Sequence, residues 1–261
     1  MENFIEFKNI SVIRSERKIL DDISLNIKFC ENTAILGANG SGKSTLIKLI
    51  MRKIYPSWVS NKSIYRLFDK DRWDIWQLRS MLGIVTNELQ YEFYNEISGF
   101  ETVLSGFFSS IGISRNHIIS ECMLKKSEEV IKFLDVWHLK DRVIPTMSSG
   151  EVRRFLIARA LVNNPKILLL DEPSNSLDIA AQIKLHNTMR QIAAKGTKII
   201  LVTHFVSDII PEIDRFVFFK NGRIIKDGNR KEIWTSKNLS ELFELNLTLK
   251  ENSDFCEISV T

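Results

Sequence analysis

Cysteine is scarce in this 261-residue chain: three residues, Cys30, Cys122 and Cys256, scattered without CxxC spacing or a histidine cluster beside them. An odd, dispersed set argues against a disulfide framework and a structural zinc site, and for a reduced, cytosolic setting. Excess charge of one sign is missing too. Lys and Arg number 36 against 32 Asp and Glu, a formal +4, which admits an anionic ligand but falls far short of a nucleic-acid footprint. Long apolar runs are absent. The longest, such as Ile167 to Leu170, are strand-sized, whereas a membrane span needs about 18 consecutive apolar residues. The opening Met1-Glu2-Asn3-Phe4-Ile5-Glu6-Phe7 carries charge where a secretory leader needs apolar residues. If the protein serves a membrane process, the channel belongs to another chain. Internal repeats and low-complexity linkers are lacking as well.

What is present is a hydrophobic fraction of 44%, enough for a large core in one domain with lobes, or two domains at most. Residues 4–12 and 23–29 read as antiparallel strands joined by a polar turn at 14–18. Residues 33–36 form a short apolar run that empties into a glycine-rich loop, with a helix expected over 44–52. Strand, glycine loop and helix open an α/β nucleotide fold. From about 98 to 145 the pattern turns helical, with 127–134 the best-patterned segment. A helix (151–162) stopped by Asn163-Asn164-Pro165, a buried strand (166–170), a helix (179–195) ended by Gly196 and another strand (198–202) follow. Residues 216–226, with Asn221-Gly222 at the centre, predict a hairpin with a type I′ turn. The tail from 231 reads as short helices with a weak end.

Gly37-Ala38-Asn39-Gly40-Ser41-Gly42-Lys43-Ser44 fits G-x-x-x-x-G-K-[ST]. Glycines let successive N–H groups face phosphates unobstructed by Cβ atoms, and the helix that follows adds its positive end. Lys43 is expected to reach the β- and γ-phosphates, the Ser44 hydroxyl to ligate Mg²⁺, and Thr45 to sit beside it. The motif alone does not choose between kinase, GTPase and ATPase.

The strand ending Leu170-Asp171-Glu172-Pro173 delivers two carboxylates at its carboxyl end, where parallel sheets bind ligands. Asp171 suits Mg²⁺, and Glu172 can act as general base on a water. His204 closes the strand after it and is expected beside the γ-phosphate. His117, His138 and His186 lack such a context and read as surface or packing residues.

Met147-Ser148-Ser149-Gly150-Glu151, with Arg154 just beyond, resembles the signature of the ABC (ATP-binding cassette) ATPases and precedes the acidic strand as that family requires. Asn175-Ser176-Leu177-Asp178 resembles the family's D-loop, and His204 its switch histidine. Val103 to Gly112, with Thr235 to Leu239, is similar to the molybdate-transport-related and photorepair-type group. The resemblance implies an α/β P-loop NTPase (RecA-like) core with an N-terminal antiparallel β lobe and an inserted helical subdomain at about 98–145. The domain spans 1–245, with a tail at 246–261. It also implies a homodimer closing on ATP and Mg²⁺, with Ser148, Gly150 and Asp178 serving the nucleotide.

Two positions depart from the family pattern. Arg14 stands where members place an aromatic ring against adenine; a guanidinium plane also stacks on a base. The Q-loop glutamine falls at Asn87, with Gln90 three positions later. Gln90 has the longer reach for Mg²⁺ and the attacking water. The leading expectation is an ATPase subunit docked on a separate integral membrane permease, peripheral on the cytoplasmic face. Tyr91-Glu92-Phe93-Tyr94 serves as docking surface or as ordinary core. Alternatives are a soluble ABC ATPase that remodels an assembly, and a phosphotransferase.

Overall fold

The computed structural model describes residues 2–57, 63–93, 96–251 and 256–260. The chain forms two compact units, the first from residues 1–73 with 200–261, the second from 74–199.

The first unit begins with two long strands, β1 (Asn3–Arg14) and β2 (Arg17–Lys28). Along β2 the residues Leu20, Ile23, Leu25 and Ile27 are buried while Ser24, Asn26 and Lys28 face water, the alternation of a sheet with one wet side. Ser15 and Glu16, both at positive φ, close a two-residue turn between the strands, tighter than the 14–18 turn read from the sequence. β3 (Thr33–Leu36) is buried throughout, as a strand covered on both faces must be. It feeds α1 (Lys43–Ile50), and β4 (Ile64–Leu67) pairs antiparallel with β1 to finish a three-stranded lobe.

The second unit holds α2 (Ile75–Met81), β5 (Leu82–Val85), α3 (Asn87–Glu92), α4 (Gly99–Leu104), α5 (Glu121–Phe133), α6 (Ser149–Leu161), β6 (Ile167–Asp171) and α7 (Ile179–Ala194). β5 and β6 run parallel in register from Leu82–Ile167 to Val85–Leu170. α5 starts well before the segment its pattern marks, because the Ser120 side chain caps it by accepting the Met123 N–H at 3.3 Å. The stretch 109–120 is irregular apart from its bends and turns, so the 98–145 region is less helical than its composition suggests. Its two ends meet: Gly99 N–H donates to the Arg142 carbonyl at 2.9 Å, and Ile144 N–H to the Ile97 carbonyl at 3.0 Å.

The chain returns to the first unit through β7 (Lys198–Thr203), followed by β8 (Arg215–Lys220) and β9 (Arg223–Asn229). Within that unit β3 lies between β7 and β8, parallel to both. Asn221 and Gly222, at φ 48° and 74°, make the type I′ turn that the Asn-Gly pair predicts.

The tail differs from expectation. α8 (Arg230–Ile233) and α9 (Ser236–Phe243) are the short helices, but β10 (Leu247–Glu251) and β11 (Cys256–Val260) then pair as an antiparallel hairpin. Side chains hold β10 in place: the Ser240 hydroxyl accepts the Leu247 N–H and the Ser236 hydroxyl the Leu249 N–H, both at 2.9 Å. Arg230 pairs with Glu251. No local pattern announces these bonds.

Candidate functional site

In the first unit, the eight residues from Gly37 to Ser44 connect the end of β3 to the first turn of α1. Gly42, at φ 110°, is the N-cap residue of α1, a backbone shape that a side chain resists. No side chain caps this helix and its first turn carries no acidic residue, so its positive end meets no carboxylate of its own and suits an anion. Lys43 is 5% exposed and bends back, its Nζ donating to the carbonyls of Gly37 at 2.8 Å and Ala38 at 3.0 Å. Asn39, Gly40 and Ser44 face solvent, Thr45 is half-buried and Ser41 is buried. An open helix end, a held ammonium and an exposed hydroxyl are the chemistry a polyphosphate requires.

Arg14 ends β1 opposite Arg17 and is exposed. His204 follows β7, with its ring 3.8 Å from that of Phe205. The turn there is set by Thr203, whose hydroxyl donates to Asp208 at 2.5 Å and accepts the Phe205 N–H at 3.0 Å.

In the second unit, Asp171 ends β6 and Glu172 takes the left-handed region at φ 44°. A non-glycine residue there is sparsely populated and clusters at functional turns. Ser148 caps α6: its hydroxyl accepts the Glu151 N–H at 3.3 Å while Glu151 accepts the Ser148 N–H at 2.7 Å. This reciprocal box is written in the sequence as Ser-x-x-Glu. Burial works against ionisation of Glu151, but the Ser148 N–H and hydroxyl outweigh it, aided by Arg142 and Arg154. The carboxyl is held below its usual range. Gly150 packs so close to Ala181 that an added Cβ would sit 3.0 Å from that methyl. Ser149 donates to the Ser176 carbonyl at 2.9 Å, tying the start of α6 to the loop before α7. Asp178 caps α7 by accepting the Ala181 N–H at 2.7 Å.

Asn87 and Gln90 lie one turn apart on α3, which Thr86 caps through the Leu89 N–H. The Asn87 carbonyl oxygen accepts from Arg153, while the Gln90 side chain is half-buried. The aromatic stretch divides: Tyr91 is 80% exposed, Phe93 is fully buried under the Arg159 guanidinium, and Tyr94 lies outside the described residues. Arg153 has no cue in the sequence, because it sits in a helix buried on most sides that shows no periodic pattern.

A family model described as ABC transporter matches residues 20–175, more than half of the chain. The chain belongs to the ABC transporter ATP-binding protein family. The uncharacterized ABC transporter ATP-binding protein YlmA of Bacillus subtilis (strain 168) is 33% identical over 252 residues, covering 96% of this chain and 94% of that protein. The hemin import ATP-binding protein HmuV of Aliivibrio fischeri is 33% identical over 249 residues, covering 92% and 90%. Among solved structures, CbiO1 from Clostridium perfringens, part of the ABC transporter complex cbiONQ, superposes with a TM-score of 0.76 at 27% identity, covering 92% of this chain and 94% of that one.

This ABC cassette is therefore an ATP-binding, ATP-hydrolysing subunit of an ABC transporter, with a P-loop NTPase fold. The non-transport ATPase and the phosphotransferase are not favoured. Among its described residues no helix is long and apolar enough to cross a membrane.

Proposed function

We propose that the chain works as a head-to-tail homodimer closing on two ATP molecules, each held between the phosphate loop of one copy and residues 148–150 of its mate. One observation supports the reading: a single chain carries both an uncapped helix start after a glycine loop and the Ser148 helix start. The uncapped start of α1 is one half of the proposed grip. The other is Ser148, whose hydroxyl accepts within the capping box and keeps its own proton to donate.

Lys43 neutralises the β- and γ-phosphates, with the backbone of Gly37, Asn39, Gly40, Ser41, Gly42 and Thr45 around them. Ser148 and Gly150 of the mate meet the γ-phosphate, and Asp178 orders the loop beside it. Arg14 lays its guanidinium plane on the adenine. Ser44, Asp171 and a Q-loop amide are the oxygen donors that would hold Mg²⁺, and their chemistry suits that ion. We take that amide to be Gln90, with Asn87 as the other candidate. The ion supplies charge neutralisation on the phosphates when bound. Glu172 takes the proton of the attacking water, and His204 donates to the γ-phosphate; the oxygen that bridges it to ADP leaves with the bonding pair.

Each charge-assisted hydrogen bond across the interface contributes about 1.5–3 kcal/mol. Losing two or three of them on hydrolysis approaches the roughly 5.5 kcal/mol that inverts a two-state equilibrium from 99:1 to 1:99. Hydrolysis thus opens the pair. Exposed Tyr91 and Ile118, at 80% and 87%, support docking of the second unit on a separate integral membrane permease at the cytoplasmic face. Val103 to Gly112 and Thr235 to Leu239 support placing the chain with the molybdate-transport-related and photorepair-type group.

Mixing two inactive variants tests the shared site. Lys43→Ala and Ser148→Arg chains are each expected to lack turnover alone. Combined, they regenerate one intact site in every mixed pair, and activity returns. If the mixture stays as inactive as its components, the shared site is wrong.

A further inference from the structure

The turn between β8 and β9 lies against the back of the phosphate loop. Gly222 donates its N–H to the Ser41 carbonyl at 2.8 Å, and its own carbonyl accepts the Asp21 N–H at 2.9 Å. Three segments distant in sequence, 19–21, 37–42 and 219–222, therefore meet at one point. They meet without slack. A Cβ on Gly222 would fall 2.4 Å from the Ile19 carbonyl oxygen, and one on Gly42 would fall 3.1 Å from that same oxygen. A Cβ on Gly37 would fall 2.2 Å from the Phe219 carbonyl oxygen. The turn is also latched from outside. Arg223 pairs with Asp21 through Nε at 3.0 Å and through its second nitrogen. Arg223 chiefly, and Lys18 after it, hold the Asp21 carboxyl below the usual range.

Hairpin chemistry explains why Asn221 and Gly222 adopt positive φ. It does not explain why the turn should reach Ser41. The peptide linking Ser41 to Gly42 does. That peptide is trans, so its C=O and N–H point in opposite directions. A carbonyl held from behind by Gly222 turns the Gly42 N–H away from the hairpin, at the position that caps the open end of α1. A bond at the carbonyl also polarises the peptide and strengthens its N–H as a donor.

We propose that Gly222 is a positioning residue for nucleotide binding, whose N–H fixes the Ser41–Gly42 peptide so that the Gly42 N–H meets the phosphates. The proposal rests on the phosphate-loop reading above. The hairpin is then a working part of the ATP site, although Gly222 touches no nucleotide itself.

Two measurements test it. Gly222→Ala, checked for folding by circular dichroism, is expected to weaken ATP binding roughly ten- to a hundredfold, the loss that follows when one buried donor is displaced. KM rises more than kcat falls. In the unaltered protein, the Gly222 amide proton is expected to shift downfield on saturation with ATP, because its acceptor peptide is polarised from the far side. Lys43→Ala separates the two ideas. Loss of ATP by Lys43→Ala, together with a folded Gly222→Ala that binds ATP normally, overturns the positioning role alone. Full ATP affinity in Lys43→Ala overturns the phosphate-loop reading itself. Should Gly222→Ala fail to fold, the amide shift decides, and an unmoved Gly222 resonance rejects the proposal.

Discussion

Arg153, on α6 and 2% exposed, donates from its guanidinium to the side-chain oxygen of Asn87 at 2.8 Å. That bond ties the helix that Ser148 caps to the start of α3. Asn87→Ala removes the acceptor from a buried cation, and such a loss costs about 1–3 kcal/mol. Asn87→Asp keeps an acceptor at the same place and is expected to retain most of the stability. Urea unfolding compares the two; equal losses would mean that the bond contributes little.

The same contact separates the two Q-loop candidates. Asn87 is committed to Arg153, while Gln90 lies one turn further along α3. Gln90→Ala is expected to lower ATP turnover roughly ten- to a hundredfold, the range for one lost charge-assisted hydrogen bond, with ATP affinity kept. Steady-state kinetics beside an equilibrium ATP titration checks this. Normal turnover in Gln90→Ala would move the role to Asn87.

Glu151 makes the cap of α6 dependent on pH. Its folded pKa lies below the ordinary 4.5, so the stability it contributes is present above that value and drains away as pH falls through the lower, folded pKa. At neutral pH, Glu151→Ala is expected to cost about 1 kcal/mol, in the range of a lost helix cap. The gap between the two proteins should close as pH drops well below 4.5. Denaturant midpoints measured at both pH values check it, and a gap that ignores pH would assign the stabilisation elsewhere.

What the sequence made legible follows from how local each cause is. Thr33 to Leu36, the Gly37–Ser44 loop that leads into α1 and the Asn221-Gly222 turn are written in consecutive residues, and the structure has the strand, the loop and the turn at those positions. The Ser148 box was equally open to reading, through Ser and Glu three apart. The C-terminal hairpin was not, because Ser236, Ser240 and Arg230 hold it through bonds that span many residues. Arg153 with Asn87, and Gly222 with Ser41, were hidden for the same reason: their partners are 66 and 181 positions away in a chain whose local pattern never mentions them. Asp178, proposed as a loop residue of the ATP site, is seen in the structure as a helix cap.

Glu172→Gln tests the closed pair most directly. The amide is nearly the same size as the carboxylate but cannot take the proton of the attacking water. With ATP and Mg²⁺, size-exclusion chromatography with light scattering should find this variant as a stable dimer that does not turn over, reverting to monomer when the nucleotide is removed. A variant that remains monomeric at saturating ATP, or that hydrolyses ATP at the unaltered rate, would contradict the account.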